Sequence, residues 1–189
     1  MERNTLGFAL CGSFCTFRSI LPVMQKLAEQ YQIIPIMSFH SYQTDTRFGT
    51  ALEFRTAIEE ICKRPIVHTI SGAEPKKQKK LLDLLLIAPC TGNTLGKLAN
   101  GISDTPVTLA AKAHLRNARP VVVAVSTNDG LSGNAKNIGT LLNTRNYYFV
   151  PFGQDDPVKK ESSLVAHMDK IPETIEAALE GRQIQPILV

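Results

Sequence analysis

The most constraining feature of this sequence is an unbroken apolar run over residues 84–88, which ends at Pro89. A run without alternating polar positions is typical of a strand buried on both faces, as in a parallel sheet. Small and polar residues, Cys90 to Thr94, follow directly, and apolar residues at helical spacing begin with Leu95. The pattern therefore predicts a strand that stops at Pro89, a short polar turn and a helix.

The same succession of apolar run, polar turn and helical spacing recurs along the chain. Further strands are predicted over residues 5–11, 33–38, 65–70, 121–125 and, at an edge, 147–150. Helices are predicted from residue 16 onward, over 50–62, over 134–142 and over 172–179, and another is expected to begin at Asp104 as its cap. Residues 151–157 are interpreted as a loop and residues 159–163 as an exposed linker. The alternation predicts an α/β fold, a Rossmann-like or flavodoxin-like three-layer sandwich whose mostly parallel sheet carries helices on both faces.

Length and charge limit the classes of function. The chain has 189 residues, of which 43% are hydrophobic. This is enough for one sizeable core, so residues 1–189 are expected to form a single domain. The net charge of +4 is small and scattered, which argues against nucleic acid and suits a small anionic ligand. The lysine-rich segment 71–80 is interpreted as a solvated hinge, with a docking site for an acidic substrate or partner as the alternative.

Apolar stretches and cysteines indicate the compartment. No apolar stretch approaches the about 20 residues of a membrane span, and the signal-peptide pattern is missing, so a cytoplasmic location is expected. Cys11, Cys15, Cys62 and Cys90 show neither a CxxC pair nor the spacing of a zinc site. They are interpreted as free thiols in a reducing compartment, and no metal is expected. Cys11 and Cys62 end apolar runs and are predicted to lie in the core.

Four polar turns, residues 12–16, 38–40, 89–94 and 126–130, follow predicted strands. Because the carboxyl ends of parallel strands meet at one edge of a sheet, these turns should form one crevice for a flat, phosphorylated cofactor. The turn at 12–16 has one glycine where a dinucleotide fingerprint has three, which disfavours a nicotinamide cofactor bound in the Rossmann manner. A hydroxyl-bearing turn suits a monophosphate instead.

The segment PCTGNTLGKLANGISDTPVTLAAKA, residues 89–113, resembles the PASANT-type segment of the flavin-containing cysteine decarboxylase superfamily and its flavin prenyltransferase relatives. In that superfamily this loop contacts FMN, and the resemblance implies FMN as the cofactor, with Ser13 at its phosphate and Ser38 along its ring. The candidate cofactor-binding residues are Gly12, Ser13, Ser38, Pro89, Cys90, Thr91, Asn93, Thr94 and Ser126. Two of them have an alternative interpretation, Ser38 as a simple turn cap and Cys90 as a packing variant of a small residue.

Two further residues are candidates for catalysis or substrate binding. Decarboxylases of the superfamily have an essential histidine upstream of the PASANT loop, and His68 lies 21 positions before Pro89, further than in those enzymes. His68 also alternates with Val67 and Thr69 as a strand residue would, so a structural role is the alternative. Arg47, in the polar loop after the turn at 38–40, is the cation best placed to face an anionic substrate.

Over the whole chain, ISGAEP (70–75), residues 88–132 and VPFGQDDP (150–157) resemble a narrower family, the flavoprotein-like subunits of dipicolinate-forming enzymes in spore-forming bacteria. That resemblance implies an oxidoreductase of the sporulating mother cell that forms dipicolinate (pyridine-2,6-dicarboxylate) from a dihydrodipicolinate precursor. The separate A subunit of such enzymes is the implied partner, and NADP is an implied cofactor of the pair, with the chain that binds it left open. A homotrimer or a multiple of it is expected, with the helix at 107–115 offering an apolar surface.

Two alternatives to this function stay open, an FMN-dependent decarboxylase of a peptidyl or pantothenoyl cysteine and a non-catalytic scaffold for the A subunit. The decarboxylases have a substrate clamp containing Met-Asn after the strand predicted at 121–125, where this chain has STNDGLSGNAKN. The prenyltransferases have arginines near the positions of Leu109 and Ser126, and both positions are uncharged here. These departures disfavour decarboxylation and prenyl transfer.

Overall fold

Parallel strands and an antiparallel hairpin form one sheet in the computed structural model, which describes residues 3–73 and 82–189. The strands are β1 Thr5–Leu10, β2 Gln32–Met37, β3 Leu84–Cys90, β4 Val121–Thr127, β5 Tyr147–Phe149, β6 Phe152–Asp156 and β7 Lys160–Ala166. Their order is β2-β1-β3-β4-β7-β6, and β5 pairs with β4. Strands β1 to β5 run parallel, whereas β7 pairs antiparallel with both β4 and β6.

Helices cover both faces of this sheet. They are α1 Phe17–Gln30, α2 Phe39–Gln43, α3 Ala51–Cys62, α4 Ile70–Ala73, α5 Gly92–Ala99, α6 Pro106–Leu115, α7 Ala135–Leu142 and α8 Ile171–Leu179, with 3-10 turns at Phe14–Thr16 and Met168–Lys170. Helix α1 contacts α3, whereas α5 contacts α6 and α7. The predicted three-layer α/β fold with a mostly parallel sheet is therefore confirmed.

The core is built on β3, the strand predicted from the apolar run. All seven of its residues are buried, and it pairs with β1 on one side and β4 on the other. Helix α1 buries Phe17, Ile20, Met24 and Leu27, a spacing that keeps one stripe of the helix on the sheet. Burying each such side chain contributes about 1.5–3 kcal/mol, so this packing fixes where the carboxyl ends of the central strands lie.

Three predicted elements near the edges of the sheet are wrong. Residues 65–70 do not form a strand, because Val67 alone bridges to Ile36 of β2 before helix α4 begins. Residues 151–157 and 159–163, predicted as loop and linker, contain β6 and the start of β7. The hairpin forms because Leu164 and Ala166 are buried against the sheet while β7 completes its ladder with β4.

Three finer predictions also need correction. Strand β3 continues through Pro89 to Cys90, with an irregular register against β4 after Ile87. Thr105 rather than Asp104 caps α6, since its side chain accepts from the Thr108 amide, and Asp104 forms an ion pair with Lys97 at 2.8 Å. Helix α6 buries most of its apolar residues within the chain, so it does not offer the apolar surface that was expected of residues 107–115.

Other predictions are met or lie outside the described residues. Cys11 and Cys62 are buried, as expected of core thiols. Most of the lysine-rich segment 71–80 lies outside the described residues, since the description stops at residue 73 and resumes at residue 82. Within the described ranges, no helix combines the length and the apolar character that a membrane crossing requires.

Candidate cofactor-binding site

A cavity of ≈ 930 Å³ lies at the carboxyl ends of β1, β3 and β4. Its lining comes from the turn at 12–16, residues 46–48, the start of α5 at 91–93, residues 126–129 after β4, and the β6–β7 hairpin. The volume falls within the range of about 300–1,000 Å³ that is usual for small-molecule and cofactor sites. Three of the four polar turns predicted to form one crevice, at 12–16, 89–94 and 126–130, therefore line this cavity, whereas the turn at 38–40 does not.

One wall of the cavity is a cluster of three hydroxyl groups, Ser13, Thr16 and Ser126, called the hydroxyl cluster below. The Ser13 and Ser126 Oγ atoms lie 2.8 Å apart, and Thr16 Oγ1 lies 3.2 Å and 3.1 Å from them. Strand β3 separates β1 from β4, yet the turns that follow β1 and β4 meet across its end. Because hydroxyl hydrogens rotate, these groups can donate to the oxygens of a phosphate without bringing charge of their own.

The first turn of α5 forms the floor beside this wall. Thr91 is its N-cap residue, and among the described residues the Thr91 side chain makes no capping hydrogen bond. The first amides of a helix have no partner within the helix and carry partial positive charge, which favours an anion at this place. Thr94 Oγ1 is buried and donates to Cys11 Sγ at 3.2 Å, so this hydroxyl faces the core rather than the cavity.

Asp129 ties the loop after β4 to the end of that strand and to the start of α7. Its Oδ1 accepts a hydrogen bond from Thr127 Oγ1 at 2.5 Å, and its Oδ2 accepts one from Asn134 Nδ2 at 2.7 Å. A Cβ on Gly92 would lie 2.4 Å from Asn134 Nδ2 and 2.7 Å from Asp129 Oδ1, so only glycine permits this packing. Asp129 was not predicted as a site residue, although its place in a polar turn directly after a buried strand was a usable signal.

Two cationic side chains line the cavity from different walls. Arg47 lies in the loop after α2, with its guanidinium carbon 4.9 Å from the centre of the Phe48 ring. Lys160 begins β7 and pairs with Asp155 of β6, with 2.5 Å between Nζ and Oδ2. Arg47 was predicted to face a ligand, and the structure does place it on the cavity; Lys160 was not predicted.

The structure brings together only part of the predicted cofactor site. The predicted residues that line the cavity are Gly12, Ser13, Thr91, Asn93 and Ser126. Pro89 and Cys90 are instead buried in β3, and burial raises the pKa of the Cys90 thiol well above its usual value, so this thiol is uncharged. Ser38 is buried and caps α2 by accepting from the Ser41 amide at 3.3 Å. A direct contact of these buried groups with a cofactor stays a prediction.

His68 is not among the residues that line the cavity. Its ring stacks on Tyr42 with the ring centres 3.8 Å apart and the planes 5° from parallel, and its Nδ1 lies 3.1 Å from the Ile66 carbonyl oxygen. The Arg55 guanidinium lies 4.5 Å from the same Tyr42 ring. The catalytic role predicted for His68 is untested, and its surroundings correspond to the structural alternative.

The residues present fit the phosphate and the ring of FMN. The hydroxyl cluster and the first amides of α5 offer uncharged donors for the phosphate. The Asp129 carboxylate is engaged by two donors of its own loop, which reduces its repulsion of a phosphate. Phe14, Phe48 and Met168 add apolar surface to the lining, as a flavin ring requires.

With this fold and site, the chain belongs to the Flavoprotein family, whose model matches residues 1–180. It is 47% identical over 190 aligned residues to the B subunit of dipicolinate synthase from Bacillus subtilis (strain 168), covering 100% of this chain and 95% of that protein. The crystal structure of the B subunit of dipicolinate synthase from Bacillus halodurans C matches with a TM-score of 0.90 at 48% identity, over 98% of this chain and 96% of that one. The FMN-dependent cysteine decarboxylase SpaF shares the fold, with a TM-score of 0.65 at 22% identity over 93% and 97% of the two chains.

Proposed function

We propose that this chain is the flavin-carrying subunit of a two-subunit enzyme that forms dipicolinate from a dihydrodipicolinate precursor. The observation that carries the proposal is the 47% identity to the B subunit of a dipicolinate synthase over the entire chain. The reaction removes two electrons and two protons from the ring and makes it aromatic. The A subunit of dipicolinate synthase is the proposed partner, NADP a cofactor of the pair, and the cytoplasm of the sporulating mother cell the proposed location.

FMN is the proposed cofactor of this chain. The Flavoprotein family supports a flavin, and the fold neighbour SpaF is an FMN-dependent enzyme. When bound, FMN would supply the acceptor for the two electrons of the dehydrogenation. Ser13, Thr16 and Ser126 would donate to its phosphate, while Phe14 and Phe48 would shield the ring from water.

Binding of FMN tests the cofactor assignment directly. We expect the purified chain to bind FMN at micromolar concentration or below, to show a flavin spectrum, and to bind riboflavin more weakly because riboflavin lacks the phosphate. Replacing both Ser13 and Ser126 by alanine should lower the FMN affinity by about tenfold or more and remove the preference over riboflavin. If the wild-type chain does not bind FMN at micromolar concentration, the chain is a scaffold for the A subunit.

Arg47 is the proposed ligand of one substrate carboxylate. Charge-assisted hydrogen bonds are the strong ones, so Arg47→Ala should reduce dipicolinate formation by the reconstituted two-subunit enzyme by about tenfold or more at limiting substrate. Assembly with the A subunit should persist. Arg55→Ala is the matched control, because Arg55 stacks on Tyr42 and does not line the cavity. Full activity of the Arg47 variant would place the reaction of the dicarboxylate outside this cavity, in the A subunit.

A homotrimer, or a multiple of it, is the proposed assembly. Since α6 is buried, support comes from other apolar side chains, Phe39, Leu52 and Ile70, which are 39%, 64% and 44% exposed. Light scattering should give a mass of three chains or a multiple, with and without FMN, and a monomer under both conditions would exclude the assembly. The cysteine decarboxylase alternative is supported by the fold likeness to SpaF, at 22% identity.

A further inference from the structure

The hairpin wall of the cavity carries an ion pair that no sequence motif predicts at the site. Lys160 Nζ lies 2.5 Å from Asp155 Oδ2, and the two side chains are 57% and 35% exposed. The ladder between β6 and β7 is irregular between Gln154 and Asp156, which is where Asp155 reaches Lys160. Both side chains line the cavity, so the pair faces the space in which a ligand would lie.

The charges around the cavity are few and mostly satisfied by each other. Among the lining residues that the structure describes, the only Lys and Arg are Arg47 and Lys160. The carboxylate of Asp129 is held by Thr127 and Asn134, and that of Asp155 by Lys160. Only the Asp155 pair therefore couples a carboxylate to a cation that a ligand can also reach.

A dicarboxylate needs more than one cation. Its two carboxylates lie on opposite sides of the ring nitrogen, so a single side chain cannot hold both at good geometry. Arg47 projects from the loop after α2, and Lys160 from the hairpin on a different wall of the cavity. Because an exposed ion pair contributes little to stability, a substrate carboxylate can take the place of Asp155 at small cost.

Resting on the dipicolinate-forming function proposed above, we propose that Lys160 binds the second carboxylate of the dicarboxylate and gives up Asp155 as its partner when the ligand enters. Lys160 is then a residue that selects for two carboxylates over one. Asp155 acts as an internal competitor that occupies the Lys160 ammonium in the free protein. A pair that merely fastens the hairpin would have no such link to the number of carboxylates on the ligand.

The assignment is tested by calorimetric titration of the FMN-loaded chain with dipicolinate and with picolinate, which has one carboxylate. Lys160→Gln should lower the affinity for dipicolinate about tenfold and the affinity for picolinate by less than about twofold. Asp155→Asn should raise the affinity for dipicolinate about threefold or more, because Lys160 no longer has to release a carboxylate. Lys159→Gln is the matched control, since this exposed neighbour on the same hairpin does not line the cavity and should leave both affinities unchanged.

The outcomes separate this assignment from the proposed function. If wild type prefers dipicolinate and Lys160→Gln keeps that preference, the role of Lys160 is refuted while the function stands. If Asp155→Asn weakens dipicolinate binding as Lys160→Gln does, the ion pair only stabilises the hairpin. The role of Asp155 as a competitor of the ligand is then refuted. If the wild-type chain binds FMN but neither dipicolinate nor picolinate, the substrate does not bind in this cavity, and the proposed role of Lys160 is refuted as well. Thermal unfolding of each variant shows that the fold is intact.

Discussion

Two cavities of similar size lie at opposite edges of the sheet. The one at the carboxyl edge has ≈ 930 Å³ and the one at the amino edge ≈ 840 Å³. Helix α5 begins at the first cavity, whereas α1 and α3 end at the second, beside Tyr31 and Lys63. Helix N-termini carry partial positive charge, so free backbone amides can bind an anion at the carboxyl edge, whereas the positive charge at the amino edge comes from the side chains of Arg3, Lys63 and Arg64. The direction of the helices, more than the volume, distinguishes the two cavities.

At the amino edge, polar side chains form hydrogen bonds with the protein backbone. The Asp83 carboxylate accepts from the Thr5 amide at 2.9 Å, and the Arg119 guanidinium donates to the Leu82 carbonyl oxygen at 2.7 Å. His114 on α6 is 5% exposed, and its Nε2 has no hydrogen-bond partner within residues 3–73 and 82–189. At the carboxyl edge, by contrast, hydroxyls bond mainly to one another and can exchange these partners for a ligand.

The largest expected effect concerns His114 at the amino edge. Burial, followed by the charge of Arg119, lowers the pKa of His114 from 6.5 to about 4. Below pH 6.5 the unfolded chain binds this proton and the folded chain does not, so stability is complete above that pH and falls as the pH drops toward about 4. The loss should reach up to about 3 kcal/mol in the free energy of unfolding.

Urea unfolding at several pH values from neutral to about 4 measures this loss. His114→Leu should flatten the pH dependence, while His167→Gln, at an exposed position, should leave it unchanged. If the free energy of unfolding of His114→Leu depends on pH as steeply as that of the wild type, other groups cause the loss of stability in acid. The amino edge would then not be the acid-sensitive part of the protein.

An intermediate effect is expected for Gly92 at the carboxyl edge. A methyl group there would collide with Asn134 and Asp129, so Gly92→Ala should lower the free energy of unfolding by about 1–3 kcal/mol. It should also lower the affinity for FMN about tenfold, because the loop after β4 would move away from α5. Gly139→Ala is the control, since nothing lies within 4 Å of its added Cβ in α7. That variant should gain about 0.5–1 kcal/mol, and equal behaviour of the two would show that Gly92 has no special packing role.

The smallest effect is expected from removing cations at the amino cavity. The double replacement Lys63→Gln with Arg64→Gln deletes two positive charges from its lining. We expect the affinities for FMN and dipicolinate to change by less than about twofold, because screening suppresses the influence of charges at the far edge. A tenfold loss in the titrations used for Lys160 would show that the two edges are not independent in anion binding.

Much of the fold was predictable because local patterns determine it. The apolar run in β3, the β-branched run in β4 and the buried stripe of α1 each correspond to a short stretch of sequence with a clear period. The turn residues Ser13 and Ser126 could be placed at the cavity because strand direction fixes the edge at which their turns lie. Their mutual hydrogen bond depends on residues 113 positions apart, and no local pattern contains it.

Other parts of the site depend on pairings between distant segments. Lys160 and Asp155 belong to a hairpin whose outer residues are exposed and charged, so its strands look like a linker in sequence. Only the pairing of Leu164 and Val165 with the end of β4 reveals β7 as part of the sheet. The strand predicted around His68 was wrong for a related reason, since a short alternating segment does not tell whether a strand partner continues beyond Val67.

Strands β5 and β7 pair with different parts of β4, and this suggests how the protein could be re-engineered. Its first half, Val121 to Val123, pairs with β5, while only Ser126 and Thr127 pair with β7. A transplanted hairpin of different length or charge would need to preserve these two rungs of the ladder and the buried side chains of Leu164 and Ala166, and it would leave the parallel ladders around β3 untouched. If Lys160 on this hairpin binds the substrate as proposed, exchanging the hairpin would change the substrate preference while the rest of the fold stays the same.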